Sequence, residues 1–123
     1  MDNKIILGYW NNRCLVHDLK LILVYNNVKY ENKIYNIGDA PDFNKSDWYN
    51  EKYNLGLDYP NLPYLIDNNI KLSQHKSILL YLGKKYNLFS NDENFINMTL
   101  EVFHDWYIQF TNLTYSSYLN FNK

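Results

Sequence analysis

The sequence predicts an α/β fold, a β-α-β-α-β-β-α domain followed by one long helix, and three patterns carry that expectation. Two short runs, KIILGY at Lys4 to Tyr9 and VKYENKIYNI at Val28 to Ile37, flank a stretch of helical periodicity, the signature of a βαβ unit. Tyr64 to Asp67 and Ile70 to Leu72 flank Asn68-Asn69, a dipeptide that tolerates positive φ, which predicts an antiparallel hairpin. From Phe95 to about Tyr118, Ile96, Leu100, Phe103, Tyr107 and Phe110 recur three or four apart, as on one face of a helix.

Each element has its own local reason. Lys4 to Tyr9 is apolar and interrupted by Gly8, so it reads as a buried strand. Asn11 or Asn12 is placed to cap a helix that carries Leu15, Leu19, Ile22 and Leu23 on one face and stops at Asn26-Asn27. Val28 to Ile37 alternates as a strand with one wet face, parallel to the first through a right-handed crossover. Gly38 to Lys45 has turn chemistry, with Pro41 fixing φ. Ser46 opens a helix expected to reach Leu55, and Gly56 ends it. Ser73 is expected to cap a helix from Gln74 to Tyr86, whose apolar stripe is Ile78, Leu79, Leu82 and Tyr86. Asn87 to Asn94 is a polar linker.

Composition excludes several classes of protein. At 123 residues the chain supports one core, and 46% hydrophobic with 18% aromatic content is too apolar for a disordered segment. The formal net charge is -1 and the lysines are dispersed, so no nucleic-acid partner is expected. Cys14 is the single cysteine, which removes a disulfide, a CxxC redox pair and a cysteine zinc site, and no metal site is expected. No signal-like or membrane-length apolar run occurs, so a cytoplasmic location and no membrane partner are the expectation.

Gly8-Tyr9-Trp10, with Arg13 and Leu15 after it, and the segment WYNEKYNLGLDYPNLPYLID from Trp48 to Asp67 are the most specific motifs. Leu62-Pro63 is a candidate rigid or cis turn that leaves the Leu62 backbone open to another extended chain. With Gln74 at the start of a helix, these residues resemble the mu class of cytosolic glutathione transferases. The resemblance spans nearly the whole chain and is strongest from Ile5 to Leu88. It implies a thioredoxin-like glutathione-binding domain over residues 1–88. Residues 89–123 would then be a linker and the first long helix of an all-α domain, otherwise truncated. A lone long helix needs another to cover its apolar stripe, so a packing partner is expected.

The resemblance also implies site roles. Tyr9, at the carboxyl end of the first strand, is the catalytic residue expected to donate its phenol hydrogen to the glutathione sulfur and favour the thiolate. Lowering a thiol pKa by two units takes about 2.7 kcal/mol, within reach of one charge-assisted bond and a helix N-terminus. Trp10 and Leu15 complete that wall of the site. Trp48, Lys52 and Lys45 would bind the glycine carboxylate, with Lys45 standing where the family usually has Arg. Asn61, Leu62 and Pro63 would hold the cysteinyl part, and Gln74 and His75 the γ-glutamyl end, His75 replacing a family Ser or Thr. Cys14 replaces a family Gly. Asp105 would reach the γ-glutamyl amine across a dimer, Tyr115 would line the electrophile site, and Tyr59 would anchor a homodimer.

The function implied is a glutathione transferase that activates glutathione for conjugation to a hydrophobic electrophile in detoxification. Glutathione serves as co-substrate, and no cofactor is needed. The alternative is a non-catalytic or vestigial glutathione-binding or interaction domain, for which Lys45, His75 and the missing helices speak. A glutaredoxin-like redox protein fits poorly, because Cys14 has no resolving partner.

Overall fold

The computed structural model describes residues 4–121, with side chains described to residue 115. The chain divides into two compact units, residues 1–88 and residues 89–123. The first is built on a four-stranded sheet of β1 (Ile5–Trp10), β2 (Tyr30–Tyr35), β3 (Tyr64–Asp67) and β4 (Ile70–Ser73), in the order β2-β1-β3-β4. β1 and β2 are parallel, from Ile5 opposite Tyr30 to Trp10 opposite Tyr35. β3 is antiparallel to β1, with Gly8 opposite Tyr64, and β4 is antiparallel to β3, with Tyr64 opposite Ser73.

Alternation along β1 sends Ile5, Leu7 and Tyr9 to one face and Ile6, Gly8 and Trp10 to the other. Leu7 and Leu65 are partners on the first face and are fully buried, as are Leu19, Leu23, Ile78 and Leu82 of the helices. Burying each such leucine stabilises the fold by about 1.5–3 kcal/mol. On the second face Gly8 lies under the Tyr64 ring, where an added Cβ would come within 2.1 Å of Tyr64 Cε1. The glycine is therefore a matter of space rather than of backbone conformation.

Several helix boundaries differ from the sequence expectation for identifiable reasons. Asn11 and Asn12 do not cap the first helix. Asn11 instead prolongs the β1–β2 ladder, donating its backbone N–H to Tyr35 O at 2.9 Å and its side-chain amide to Asn36 at 3.2 Å. A 3-10 turn at Cys14–Val16 then leads into α1 (His17–Tyr25), and neither start has a side-chain cap. Asn26 and Asn27 do end α1: the Asn26 side chain donates to Ile22 O at 2.8 Å, and Asn27 has φ 55. Val28 belongs to that exit turn, bonding Leu23 O at 2.9 Å, which is why β2 starts later than expected.

The helix expected from Ser46 to Leu55 is a single turn, α2 (Ser46–Tyr49). Its first free N–H, on Ser46, is taken by the Asn44 side chain at 2.7 Å. Beyond Tyr49 the N–H groups of Glu51 and Lys52 converge on one carbonyl, that of Trp48, at 3.1 and 2.9 Å, so the helical ladder gives way to turns. Gly56 follows with φ 70, as its place at the end of the run predicts. The hairpin turn is also as expected, with Asn68 at φ 57 between paired Asp67 and Ile70.

α3 (His75–Lys85) starts one residue later than expected, and Ser73 is not its cap. Gln74 is the capping residue, at φ 72, while the Ser73 hydroxyl donates to the Tyr59 carbonyl. In the second unit α4 (Glu93–Phe121) begins earlier than the apolar periodicity does. Asp92 explains this: its carboxylate accepts from Phe95 N–H at 3.0 Å, a side-chain N-cap. No helix among the described residues is long and apolar enough to cross a membrane.

Candidate functional site

The registers bring five of the predicted residues, Tyr9, Trp10, Leu62, Pro63 and Gln74, to one end of the sheet. Extending the β1–β3 pairing past Gly8 and Tyr64 puts Pro63 opposite Tyr9 and Leu62 opposite Trp10. Extending the β3–β4 pairing past Tyr64 and Ser73 puts Gln74 beside Pro63, and α3 springs from there. Tyr9 is buried, while Trp10 and Leu15 are half-buried. The Leu62-Pro63 peptide is cis, as the motif suggested. The Leu62 amide is not open, however. The Asn61 side-chain oxygen accepts from it at 2.9 Å, a local bond that Asn forms readily in turns.

On the other sheet face a hydrogen-bonded aromatic cluster holds Trp48. The indole, 3% exposed, meets Tyr35 edge-on at 5.2 Å and stacks on Tyr64 at 6.0 Å. Lys33 donates to Glu51 Oε1 at 2.7 Å, and Tyr35 donates to Glu51 Oε2 at 2.9 Å. The Tyr35 and Tyr64 hydroxyls lie 3.0 Å apart. An ionised carboxylate only accepts, so the single Tyr35 proton goes to Glu51 and Tyr64 donates to Tyr35. The Lys33 bond holds the Glu51 carboxyl below its usual range, and the Glu51 bond raises Lys33. Burial pushes both tyrosine phenols up, keeping them neutral. The Trp48 indole makes no hydrogen bond among the described residues, and no fully buried side-chain nitrogen or oxygen lacks a partner.

Lys45, Trp48 and Lys52 are linked through the same turns, since Trp48 N–H bonds Lys45 O at 3.1 Å and Lys52 N–H bonds Trp48 O at 2.9 Å. Lys45 is exposed. The Lys52 ammonium lies 5.8 Å from the Tyr49 ring centre and 5.3 Å from that of Tyr53, with no carboxylate paired to it among the described residues. These turns thus carry two lysines and a tryptophan close together in the chain, residue types whose donors suit a carboxylate.

At the opposite side of the sheet end, Gln74 is exposed and His75 opens α3. The His75 ring does not point to an open site. Its Nε2 lies 2.7 Å from Asp18 Oδ2 in the first turn of α1. Tyr59 is 78% exposed on the loop that Ser73 ties to β4. Asp105 and Tyr115 lie on α4, in the second unit, and both are exposed. Cys14 is a free, exposed thiol. No group of three or more His, Cys, Asp or Glu able to hold a metal occurs among the described residues.

Sequence reasoning missed Asp18 and the Lys33, Tyr35, Glu51 and Tyr64 network. Period-two alternation does place Lys33 and Tyr35 on one strand face, and Glu51 follows Trp48 by one helical turn. Nothing in the spacing told that these faces meet.

A mixed four-stranded sheet in this order, with a cis proline entering the hairpin and a helix leaving its end, is a thioredoxin-like domain. Residues 6–84 match the family model of the glutathione S-transferase N-terminal domain, and the chain belongs to the glutathione S-transferase family. It is 60% identical over 82 residues to glutathione S-transferase B of Cavia porcellus, covering 67% of this chain and 38% of that protein. It is 55% identical over 87 residues to glutathione S-transferase Mu 3 of Mus musculus, covering 71% of this chain and 40% of that protein. The chain thus aligns with about two fifths of these relatives. Among solved structures, the glutathione S-transferase Blo t 8 superposes with a TM-score of 0.75 at 28% identity, covering 87% of this chain and 49% of that one. The Pi-class enzyme of Onchocerca volvulus gives 0.74 at 26%, covering 89% and 49%.

Proposed function

We propose that the chain is a mu-type glutathione transferase, or the glutathione-binding part of one, in which Tyr9 stabilises the glutathione thiolate for attack on a hydrophobic electrophile. The observation that carries this reading is the convergence of Tyr9, Leu62-Pro63 and Gln74 at one end of the sheet, in a chain of this family. The S–H proton passes to solvent water, and Tyr9 donates a hydrogen bond to the sulfur left behind, which favours the charged form. Lys45, Lys52 and the Trp48 indole N–H take the glycine carboxylate, while Trp10 and Leu15 flank the peptide. The Leu62 backbone pairs with the cysteinyl part once the Asn61 side chain gives up the Leu62 amide. Gln74 and the backbone N–H of His75 take the γ-glutamyl carboxylate at the positive end of α3.

The finer roles belong to the same reading. Asp105 meets the γ-glutamyl amine, Tyr115 lines the electrophile site, and Tyr59 anchors a homodimer. The protein acts in the cytoplasm in detoxification, with glutathione as co-substrate and no cofactor. A glutathione titration of the purified chain, read by tryptophan fluorescence, tests this directly. Saturable binding supports it, and a folded protein that binds no glutathione overturns it.

A further inference from the structure

We propose that Glu51 is a positioning residue for the carboxylate-binding edge, keeping Trp48 and Lys52 ready for an anionic ligand terminus. This inference rests on the reading of Lys45, Trp48 and Lys52 as the glycine-carboxylate subsite. Glu51 lies between those two residues in the chain, and its own N–H bonds the Trp48 carbonyl at 3.1 Å, next to the 2.9 Å bond from Lys52. Anchoring the Glu51 side chain therefore fixes the turn that carries both.

The anchor is β2. Both Glu51 oxygens are engaged there, one by Lys33 at 2.7 Å and one by Tyr35 at 2.9 Å. Tyr35 in turn packs edge-on against the Trp48 ring, so one carboxylate secures the turn and the wall that holds the indole. The second consequence is electrostatic. A glutamate left unpaired in the same half-buried turn as Lys52 would compete with an anionic ligand for its ammonium. Lys33 removes that competition by binding Glu51, and Lys52 rests instead over Tyr49 and Tyr53, aromatic faces that leave its charge intact.

The prediction separates positioning from general stability by using two ligands. Affinities of the full chain are measured for glutathione and for its glycyl carboxamide analogue, which lacks only the terminal negative charge. The wild-type chain is expected to prefer glutathione by about tenfold or more, as a charge-assisted contact implies. Glu51→Gln keeps the size of the side chain and releases Lys33. It is expected to cut that preference by about fivefold while the affinity for the carboxamide stays within about twofold. Lys33→Met, which frees Glu51 to pair with Lys52, is expected to do the same and serves if Glu51→Gln folds poorly.

A wild-type chain without preference for the charged ligand overturns the carboxylate subsite and this proposal with it. A wild-type preference that survives in both variants overturns the positioning role alone. Equal loss of both ligands in the variants also overturns it, because that is the mark of a merely structural residue.

Discussion

His75 Nε2 lies 2.7 Å from Asp18 Oδ2, a contact that joins the start of α3 to the first turn of α1. The Asp18 carboxylate also takes the Leu19 N–H at 2.8 Å through its other oxygen, so it is fixed before it meets the imidazole. The ring is thus held against α1, and only the backbone of His75 is left for a ligand at the helix end. The family resemblance places a hydroxyl at this position. His75→Ser is therefore expected to tighten glutathione binding by about fivefold, one modest added hydrogen bond. The loss in stability should stay below about 1 kcal/mol, because Asp18 is nearly half exposed. Calorimetric titration and thermal melts read the two effects; weaker binding would mean that the ring itself contacts the ligand.

Tyr9→Phe removes one hydroxyl and leaves the packing at the end of β1 nearly unchanged. Glutathione affinity should change little, whereas the thiol of bound glutathione should titrate near the ordinary thiol value of about 8.5. The conjugation rate should fall by about two orders of magnitude, as for loss of one donor to a developing anion. Thiolate absorbance of the bound peptide against pH is the direct measurement. An unchanged thiolate population at neutral pH in the variant would remove Tyr9 from the mechanism.

Gly8→Ala tests the close approach of Tyr64. The added methyl would lie 2.1 Å from Tyr64 Cε1 and 2.3 Å from Cζ. The ring has nowhere to go, since Trp48 stacks on it and its hydroxyl is bonded to Tyr35. Destabilisation by about 3 kcal/mol is expected in denaturant unfolding. The same substitution in a Tyr64→Leu background should cost much less, and additive effects would show that the clash is not the cause.

These contacts mark how far the sequence alone reached. Elements whose signals are local were legible: the Asn26-Asn27 stop, Gly56 and the Asn68 turn follow from backbone preferences of the residues themselves, and Leu62-Pro63 is the turn its proline suggested, in the cis form. The motifs at Tyr9, Leu62 and Gln74 could be placed because strand pairing brings three strand ends together. Helix starts were misjudged wherever another partner claimed the expected cap. Asn11 joined the sheet, and Ser73 turned to Tyr59. The ion-pair and tyrosine networks were illegible because their members lie far apart in sequence, Lys33 from Glu51 and Asp18 from His75. Only the folded registers decide which charged side chain meets which.

Asp67 leads to a prediction about acid. Its carboxylate is 3% exposed, accepts from Tyr81 at 2.7 Å and from Lys85, and takes Asn68 Nδ2 at 3.1 Å on its other oxygen. Burial alone would raise its pKa, but the bonds from Lys85 and Tyr81 outweigh burial and hold it below the ordinary 3.8. Glu51, pulled down by Lys33, lies below its ordinary 4.5 as well. In the folded state both groups bind protons less readily than in the unfolded chain, so falling pH favours unfolding. Their contribution is complete above about pH 5 and is lost as pH falls through the lower, folded values. Asp67→Asn is expected to cost about 3 kcal/mol at neutral pH, because Lys85 loses its buried anionic partner and one acceptor oxygen becomes an amide donor, and to flatten the acid limb. Urea unfolding at a series of pH values reads both; an acid limb of unchanged slope in the variant would mean that other carboxyls control acid unfolding.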